Sequence, residues 1–140
     1  MHSNLRKLKI VCFLLLSFSL KVSAPCWRSM TIYEFPPIEP YKNLVFAIGM
    51  VETKGDTLAY NPFEEAIGIF QIRPIRLKDY NQRTGNNLKR EDLFKYEISK
   101  RIFLYYADIA GPYKFEQIAR KWNGSGLLTT SYWYRIRQYL

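Results

Sequence analysis

Histidine and cysteine are almost absent from this chain of 140 residues: its one histidine is His2 and its two cysteines are Cys12 and Cys26. Because nothing past residue 26 can supply an imidazole or a thiol, that part of the chain excludes Ser-His-Asp and Cys-His nucleophile systems. It also excludes zinc sites built on histidine or thiolate and leaves only carboxylate oxygen sites for hard cations. Proton transfer there would have to use Asp, Glu, Tyr or Lys.

Phosphate-binding glycine loops and runs of basic residues are missing as well. Without a Gly-x-Gly-x-x-Gly or Walker-type loop, a bound nucleotide is not indicated. Residues 25–140 carry 17 basic and 12 acidic side chains, a net charge of +5, with no Lys/Arg run of the kind that marks a nucleic-acid-binding arm. We therefore do not expect nucleic acid as a partner.

No apolar stretch reaches the roughly 20 residues that a membrane-spanning helix needs. The run from Ile10 to Leu20 has 11 residues, follows three basic side chains and precedes the small-residue segment Val22-Ser23-Ala24. This order is typical of a secretory signal. We predict a signal peptide over residues 1–24, no stable transmembrane anchor and a periplasmic or secreted location, with the exact cleavage position left open.

A proline-rich lead-in over residues 25–40 precedes a single domain over residues 41–140. Apolar spacing predicts a helix from Tyr41 that ends near Lys54, where Gly55 follows as a C′ glycine. Residues 55–65 are rich in turn formers, and residues 66–72 are compatible with a strand or a helix.

Further helices are predicted in the second half of the domain. One starts at Pro74 and runs to about Arg83, and the longest runs from about Glu91 to Ile109. A short helix carries Phe115, Ile118 and Trp122, and a last one is capped by Thr129 or Thr130. The predicted buried face of the longest helix consists of Phe94, Ile98, Ile102, Tyr105 and Ile109. The fold class is mainly α, or α+β at most, with little or no sheet.

Glu52 stands out among the carboxylates. It lies in the last turn of the first predicted helix, on a strip with Val45 and Ile48. Burial and the negative end of the helix dipole both favour the neutral acid. A carboxyl group that is protonated near neutral pH can act as a general acid, although a helix-end Glu that reaches solvent fits the same pattern.

Four blocks follow one another along the chain: Glu52-Thr53, residues 66–74 (AIGIFQIRP), residues 121–125 (KWNGS) and Tyr132-Trp133. In this order they resemble the lytic transglycosylase (SLT) family, whose fold is lysozyme-like and related to goose-type lysozyme. The family pattern is Glu-Ser, Gly-Ala-x-Gly-Leu-Met-Gln, Ala-Tyr-Asn-Ala-Gly and a late tyrosine. The departures from it indicate a divergent, small, single-domain member.

The resemblance implies a role for seven residues. Glu52 corresponds to the single catalytic acid and base, and no metal or other cofactor is implied. The implied substrate-binding residues are Thr53, Gly68, Phe70, Gln71, Asn123 and Tyr132. Phe70 replaces the usual methionine against a sugar, Gly68 allows a sugar to approach the chain closely, and Tyr134 is close enough to Tyr132 to compete for the late tyrosine.

The activity expected from the resemblance is peptidoglycan cleavage between N-acetylmuramic acid and N-acetylglucosamine, with formation of 1,6-anhydro ends. Two alternatives stay open. One is a hydrolytic, lysozyme-type muramidase that activates water through Asp56, Glu64 or Glu65; the other is a non-catalytic glycan-binding envelope protein. The expected partner is the glycan strand, and service to an envelope-spanning complex, oligomeric state and exo or endo action stay open.

Overall fold

The computed structural model describes residues 39–140. The predicted signal peptide and almost all of the predicted lead-in lie outside the described residues. Within residues 39–140, no helix is both long enough and apolar enough to cross a membrane.

Five α-helices and one two-stranded sheet make up the described chain, so the mainly α fold class is confirmed. In chain order the elements are α1 (Lys42–Thr53), β1 (Tyr60–Asn61), β2 (Ala66–Ile67), α2 (Pro74–Thr84), a 3-10 helix (Arg90–Phe94), α3 (Tyr96–Ala110), α4 (Phe115–Asn123) and α5 (Leu128–Arg137). The likeness to the lysozyme fold stays a prediction.

The end of α1, predicted from Gly55, and the start of α2, predicted from Pro74, both lie where the sequence indicated. After α1, Lys54 adopts a left-handed conformation (φ 59°), and the amides of Lys54 and Gly55 donate to the carbonyls of Met50 and Gly49. Helix α2 begins at Pro74, whose fixed φ suits a first turn, and it ends at Thr84, where the left-handed Gly85 (φ 70°) follows as the C-cap. These ends place Glu52 in the last turn of α1.

The predicted long helix over residues 91–109 is wrong in two respects. Lys95 has an extended backbone and separates the 3-10 helix from α3. Ile109 is 60% exposed, although it was expected on the buried face. The residues that α3 buries are Ser99, Ile102, Phe103, Ala107 and Ala110. Because three of these are small, a pattern based on large apolar side chains selects the neighbouring face.

The predicted threonine cap of the last helix is also wrong. Helix α5 begins at Leu128, and its N-cap residue Leu127 makes no side-chain hydrogen bond. Thr129 is buried inside the first turn, where its hydroxyl donates to the carbonyl of Gly126 and accepts from Nε of Arg120. Thr129 therefore fastens α5 to α4 instead of capping it.

Residues 66–72, for which sequence left strand and helix open, form β2 and a tight turn. β1 pairs with β2 in antiparallel register, Tyr60 opposite Ile67 and Asn61 opposite Ala66. Ile67 pairs with Ile72, so that residues 68–71 form the connecting turn. This turn lies against α1 on one side and against the buried aromatic residues Phe103 and Trp122 on the other.

Candidate active site

Glu52 is half-buried in the last turn of α1 and contacts the last helix. The hydroxyl of Tyr132, in α5, donates to Oε1 of Glu52 at 2.6 Å. Tyr132 is 1% exposed, whereas the competing Tyr134 is 59% exposed. Of the two tyrosines, Tyr132 is therefore the one that contacts Glu52. Its ring is buried, and its hydroxyl points to the carboxyl group.

Burial raises the pKa of the Glu52 carboxyl above its ordinary value, because an ionised carboxylate is poorly solvated there. The Tyr132 hydrogen bond acts against this rise, as do the positive charges of Arg135, Arg73 and Arg76. Burial is the largest of these effects, so the pKa of Glu52 is raised overall. The pKa of Tyr132 is also raised, first by burial and then by Glu52, and Tyr132 remains a hydrogen-bond donor.

Thr53 ties the end of α1 to the turn over residues 68–71. Its hydroxyl lies 3.2 Å from the carbonyl oxygen of Ile69 and 3.3 Å from that of Gly49, so it can donate to either. The side chain is thus engaged with backbone, and its position fixes the distance between α1 and the turn. This is a positioning contact next to Glu52.

Gly68 has a different role from the predicted one. It is buried with φ 76°, and a Cβ atom at this position would overlap the carbonyl oxygen of Leu93. The close approach that needs glycine is therefore between two segments of the chain, not between the chain and a sugar. Gly68 allows the turn to pack on the 3-10 helix.

Gln71 is half-buried and completes the same turn. Its backbone is left-handed (φ 48°), and its amide Nε2 donates to the carbonyl of Gly68 at 3.1 Å. Its backbone N–H donates to the same oxygen at 2.9 Å. A non-glycine residue in this conformation costs energy, and the two hydrogen bonds offset part of that cost.

Phe70 is not at a substrate surface. Its side chain is 0% exposed and stacks on Phe103 with ring centroids 5.3 Å apart. The ring points into the core because the Ile67–Ile72 pairing turns this position inward. The prediction that Phe70 contacts a sugar is therefore wrong for this structure, and the residue belongs to packing.

Asn123 ends α4, and its neighbours connect that helix to the turn and to α2. Nε1 of Trp122 donates to the carbonyl of Phe70 at 3.1 Å. Nη2 of Arg76 donates to the carbonyl of Trp122 at 3.0 Å, and the guanidinium lies 3.9 Å above the Trp122 ring. Asn123 itself is half-buried, and within residues 39–140 it makes no hydrogen bond to Glu52 or Tyr132.

The other candidate carboxylates are exposed and engaged elsewhere. Oδ1 of Asp56 accepts from the amide of Leu58 at 2.8 Å. Glu64 pairs with Arg73 at 3.2 Å and Glu65 with Arg90 at 3.3 Å. None of the three makes a hydrogen bond to Glu52 or Tyr132 among the described residues.

Sequence reasoning missed the arginines around Glu52. Arg73 and Arg76 are three residues apart at the start of α2, and Arg135 is three residues after Tyr132 in α5. Residues three apart share a face of a helix, so this spacing was the available signal. The same spacing is common among solvated basic residues on a helix, so it does not by itself indicate a site.

A groove of about 580 Å³ lies between α1 and α3. It is lined by apolar and aromatic side chains, among them Phe46, Tyr96 and Ile69, and it reaches Gly49, three residues before Glu52. Glu52 is not part of its lining. The groove is thus a neighbouring surface, one helical turn from the candidate acid.

No group of three or more His, Cys, Asp or Glu side chains within residues 39–140 is arranged to hold a metal ion. In comparisons with known proteins, no family model, curated protein or solved structure matches this chain. The chemistry of the site is therefore inferred from its own residues.

Proposed function

We propose that this chain is a secreted or periplasmic peptidoglycan lytic transglycosylase. It would cleave the β-1,4 bond between N-acetylmuramic acid and N-acetylglucosamine and leave 1,6-anhydro-N-acetylmuramic acid ends. The observation that carries the proposal is the 2.6 Å hydrogen bond from Tyr132 to Glu52, which spans 80 residues of sequence. It joins the first and the last of the four blocks that resemble the SLT family.

The remaining blocks are connected to this pair by hydrogen bonds of the described residues. Thr53 donates toward Ile69 in the second block, and Trp122 of the third block donates to Phe70 in the second. The four blocks are therefore neighbours in the fold, and this arrangement supports the resemblance.

Glu52 has the properties of a general acid in this arrangement. Burial favours its neutral form, and a neutral carboxyl can donate a proton to the glycosidic oxygen as the bond breaks. Because Tyr132 donates to Oε1, the proton is best carried by Oε2. Tyr132 thereby orients the carboxyl group and leaves one oxygen for the substrate.

The second step needs the ionised form of the same residue. After donation, the Glu52 carboxylate would take the proton from the 6-hydroxyl of the muramic residue, whose oxygen closes the 1,6-anhydro ring. The substrate's 2-acetamido group would stabilise the positive charge that develops at the anomeric carbon. The Tyr132 hydrogen bond and the nearby arginine charges favour the ionised carboxylate between the two steps.

A route with one carboxylate also fits the surroundings of Glu52. Glycosidases with two carboxyl groups place them about 5–9.5 Å apart so that the second serves as nucleophile or activates water. Asp56 caps its own turn, and Glu64 and Glu65 are paired with arginines. Ring closure by the substrate's own hydroxyl needs none of them, which favours the transglycosylase over the hydrolytic muramidase.

Product analysis tests this proposal. Purified peptidoglycan is incubated with the protein, and the released fragments are identified by mass spectrometry. The expected products carry anhydro ends and lack the mass of one added water. Products with reducing muramic ends would indicate a hydrolase, and glycan binding without any release would indicate a non-catalytic envelope protein.

A further inference from the structure

The positive charges of three arginines act on the Glu52 carboxyl. Arg73 is the N-cap residue of α2, Arg76 lies in α2, and Arg135 lies in α5. Of the three, only Arg73 forms an ion pair within residues 39–140. Such a site attracts an anionic group.

Two of the three arginines are already engaged. The Arg76 guanidinium is held by the carbonyl of Trp122 at 3.0 Å and by the ring of the same residue. Arg73 forms an ion pair with Glu64 at 3.2 Å. These two residues supply charge, and Nη2 of each already has a partner.

Arg135 differs from Arg73 and Arg76 in its partners. It is exposed, and its guanidinium carbon lies 5.4 Å from the ring centre of Tyr132, the residue that donates to Glu52. Within residues 39–140, no carboxylate oxygen lies within the 4.0 Å that defines an ion pair with Arg135. A planar guanidinium in this state is suited to bind a carboxylate through two parallel hydrogen bonds.

We propose that Arg135 binds a carboxylate of the glycan substrate and so makes the site selective for acidic over neutral β-1,4 glycans. The identity of the ligand rests on the proposed function. Peptidoglycan offers this group on the lactyl side chain of muramic residues without peptide, or on the peptide stem. A chain of N-acetylglucosamine alone has the same linkage and no carboxylate.

Binding measurements with three ligands test the proposal. They are peptide-free glycan strands, peptide-bearing strands and oligomers of N-acetylglucosamine, each titrated into the full chain carrying Glu52→Gln so that no ligand is consumed. Arg135→Gln is added to this background, and Arg137→Gln is the matched control. Arg137 is exposed and ends the same helix, two residues further on.

We expect Arg135→Gln to weaken binding of a carboxylate-bearing strand by about tenfold or more at low salt, the scale of a charge-assisted hydrogen bond. Binding of the neutral oligomer should not change, and Arg137→Gln should change neither. Arg135→Lys should recover part of the loss, because it keeps the charge without the planar fork. Loss on peptide-free strands assigns the lactyl carboxylate, and loss only on peptide-bearing strands assigns the stem.

Three results would overturn the proposal: equal weakening for neutral and acidic ligands, no weakening for either acidic strand, or an equal effect of Arg137→Gln. The proposed function fails separately, because it depends on the anhydro ends made by the wild-type chain. A chain that discriminates through Arg135 but releases no anhydro products would keep the carboxylate site and lose the transglycosylase assignment.

Discussion

Glu52 and Asp79 each accept a hydrogen bond of nearly the same length from a tyrosine, but their pKa values shift in opposite directions. Tyr132 donates to Glu52 at 2.6 Å, and Tyr106 donates to Asp79 at 2.7 Å. The pKa of Glu52 is raised, whereas the pKa of Asp79 is lowered. A tyrosine hydroxyl therefore does not decide the ionisation of its partner.

The surroundings of each carboxyl group explain the difference. Nε of Arg83 donates to both oxygens of Asp79, at 2.8 and 2.9 Å, and this is the largest cause of its lowered pKa. Glu52 is half-buried and, within the described residues, has no cation within ion-pair distance. Burial without a direct counter-ion raises the pKa of a carboxyl group, whereas a direct ion pair lowers it.

The largest expected difference between the two pairs is in turnover. Glu52→Gln keeps the size of the side chain but cannot donate or recover a proton, so the release of anhydro products should fall by at least about 100-fold. Asp79→Asn, a matched change in the other pair, should leave turnover within a small factor. Release of anhydro products by both variants at wild-type rates would assign catalysis to another residue.

The same two variants should differ in how stability depends on pH. A raised folded-state pKa means that folded Glu52 holds its proton over a range in which the unfolded chain has lost it. Wild-type stability relative to Glu52→Gln should therefore fall as pH rises from the ordinary value of 4.5 through the folded pKa. Asp79 has the opposite sign: its contribution is present above 3.8 and is lost as pH falls below that value.

A smaller difference between the two pairs is expected in the stability lost when each tyrosine hydroxyl is removed. Tyr132→Phe leaves a buried carboxyl oxygen without its donor and should destabilise the fold by about 1–3 kcal/mol. Tyr106→Phe removes a donor from a carboxylate that keeps both hydrogen bonds from Arg83, so its cost should be smaller. Chemical denaturation of both variants measures the two costs.

Tyr132→Phe also has an effect on the pH profile that a purely structural role would not produce. The hydroxyl lowers the pKa of Glu52, so its removal should raise that pKa further. Turnover by a general acid declines as pH rises through its pKa, and this alkaline limb should move to higher pH in Tyr132→Phe. An unchanged limb in Tyr132→Phe, or an equal movement in Tyr106→Phe, would contradict the assigned contact.

Local signals in the sequence were sufficient for the helix that carries Glu52. Apolar residues at steps of three and four, followed by glycine, define α1 and its end, and Pro74 defines the start of α2. Both are decided within a few residues of sequence. The position of the candidate acid was therefore predictable before any long-range contact was known.

Contacts between distant segments were not predictable in the same way. Phe70 was assigned to a sugar because a family methionine occupies its place, but the Ile67–Ile72 pairing turns it into the core. Gly68 was assigned to the same surface, and its need for glycine comes from Leu93. The geometry of this turn and its packing partners depend on contacts with segments that are distant in sequence. The spacing of hydrophobic residues carries no information on such contacts.

The most direct test of the central claim is a carbon-13 NMR titration of the Glu52 and Asp79 carboxyl groups in one sample of the folded protein. The account predicts that Glu52 titrates above 4.5 and Asp79 below 3.8, although both accept a hydrogen bond from a tyrosine. Assignments come from the Glu52→Gln and Asp79→Asn spectra. A Glu52 carboxyl that titrates at or below 4.5 would contradict the claim that burial raises the pKa of this residue.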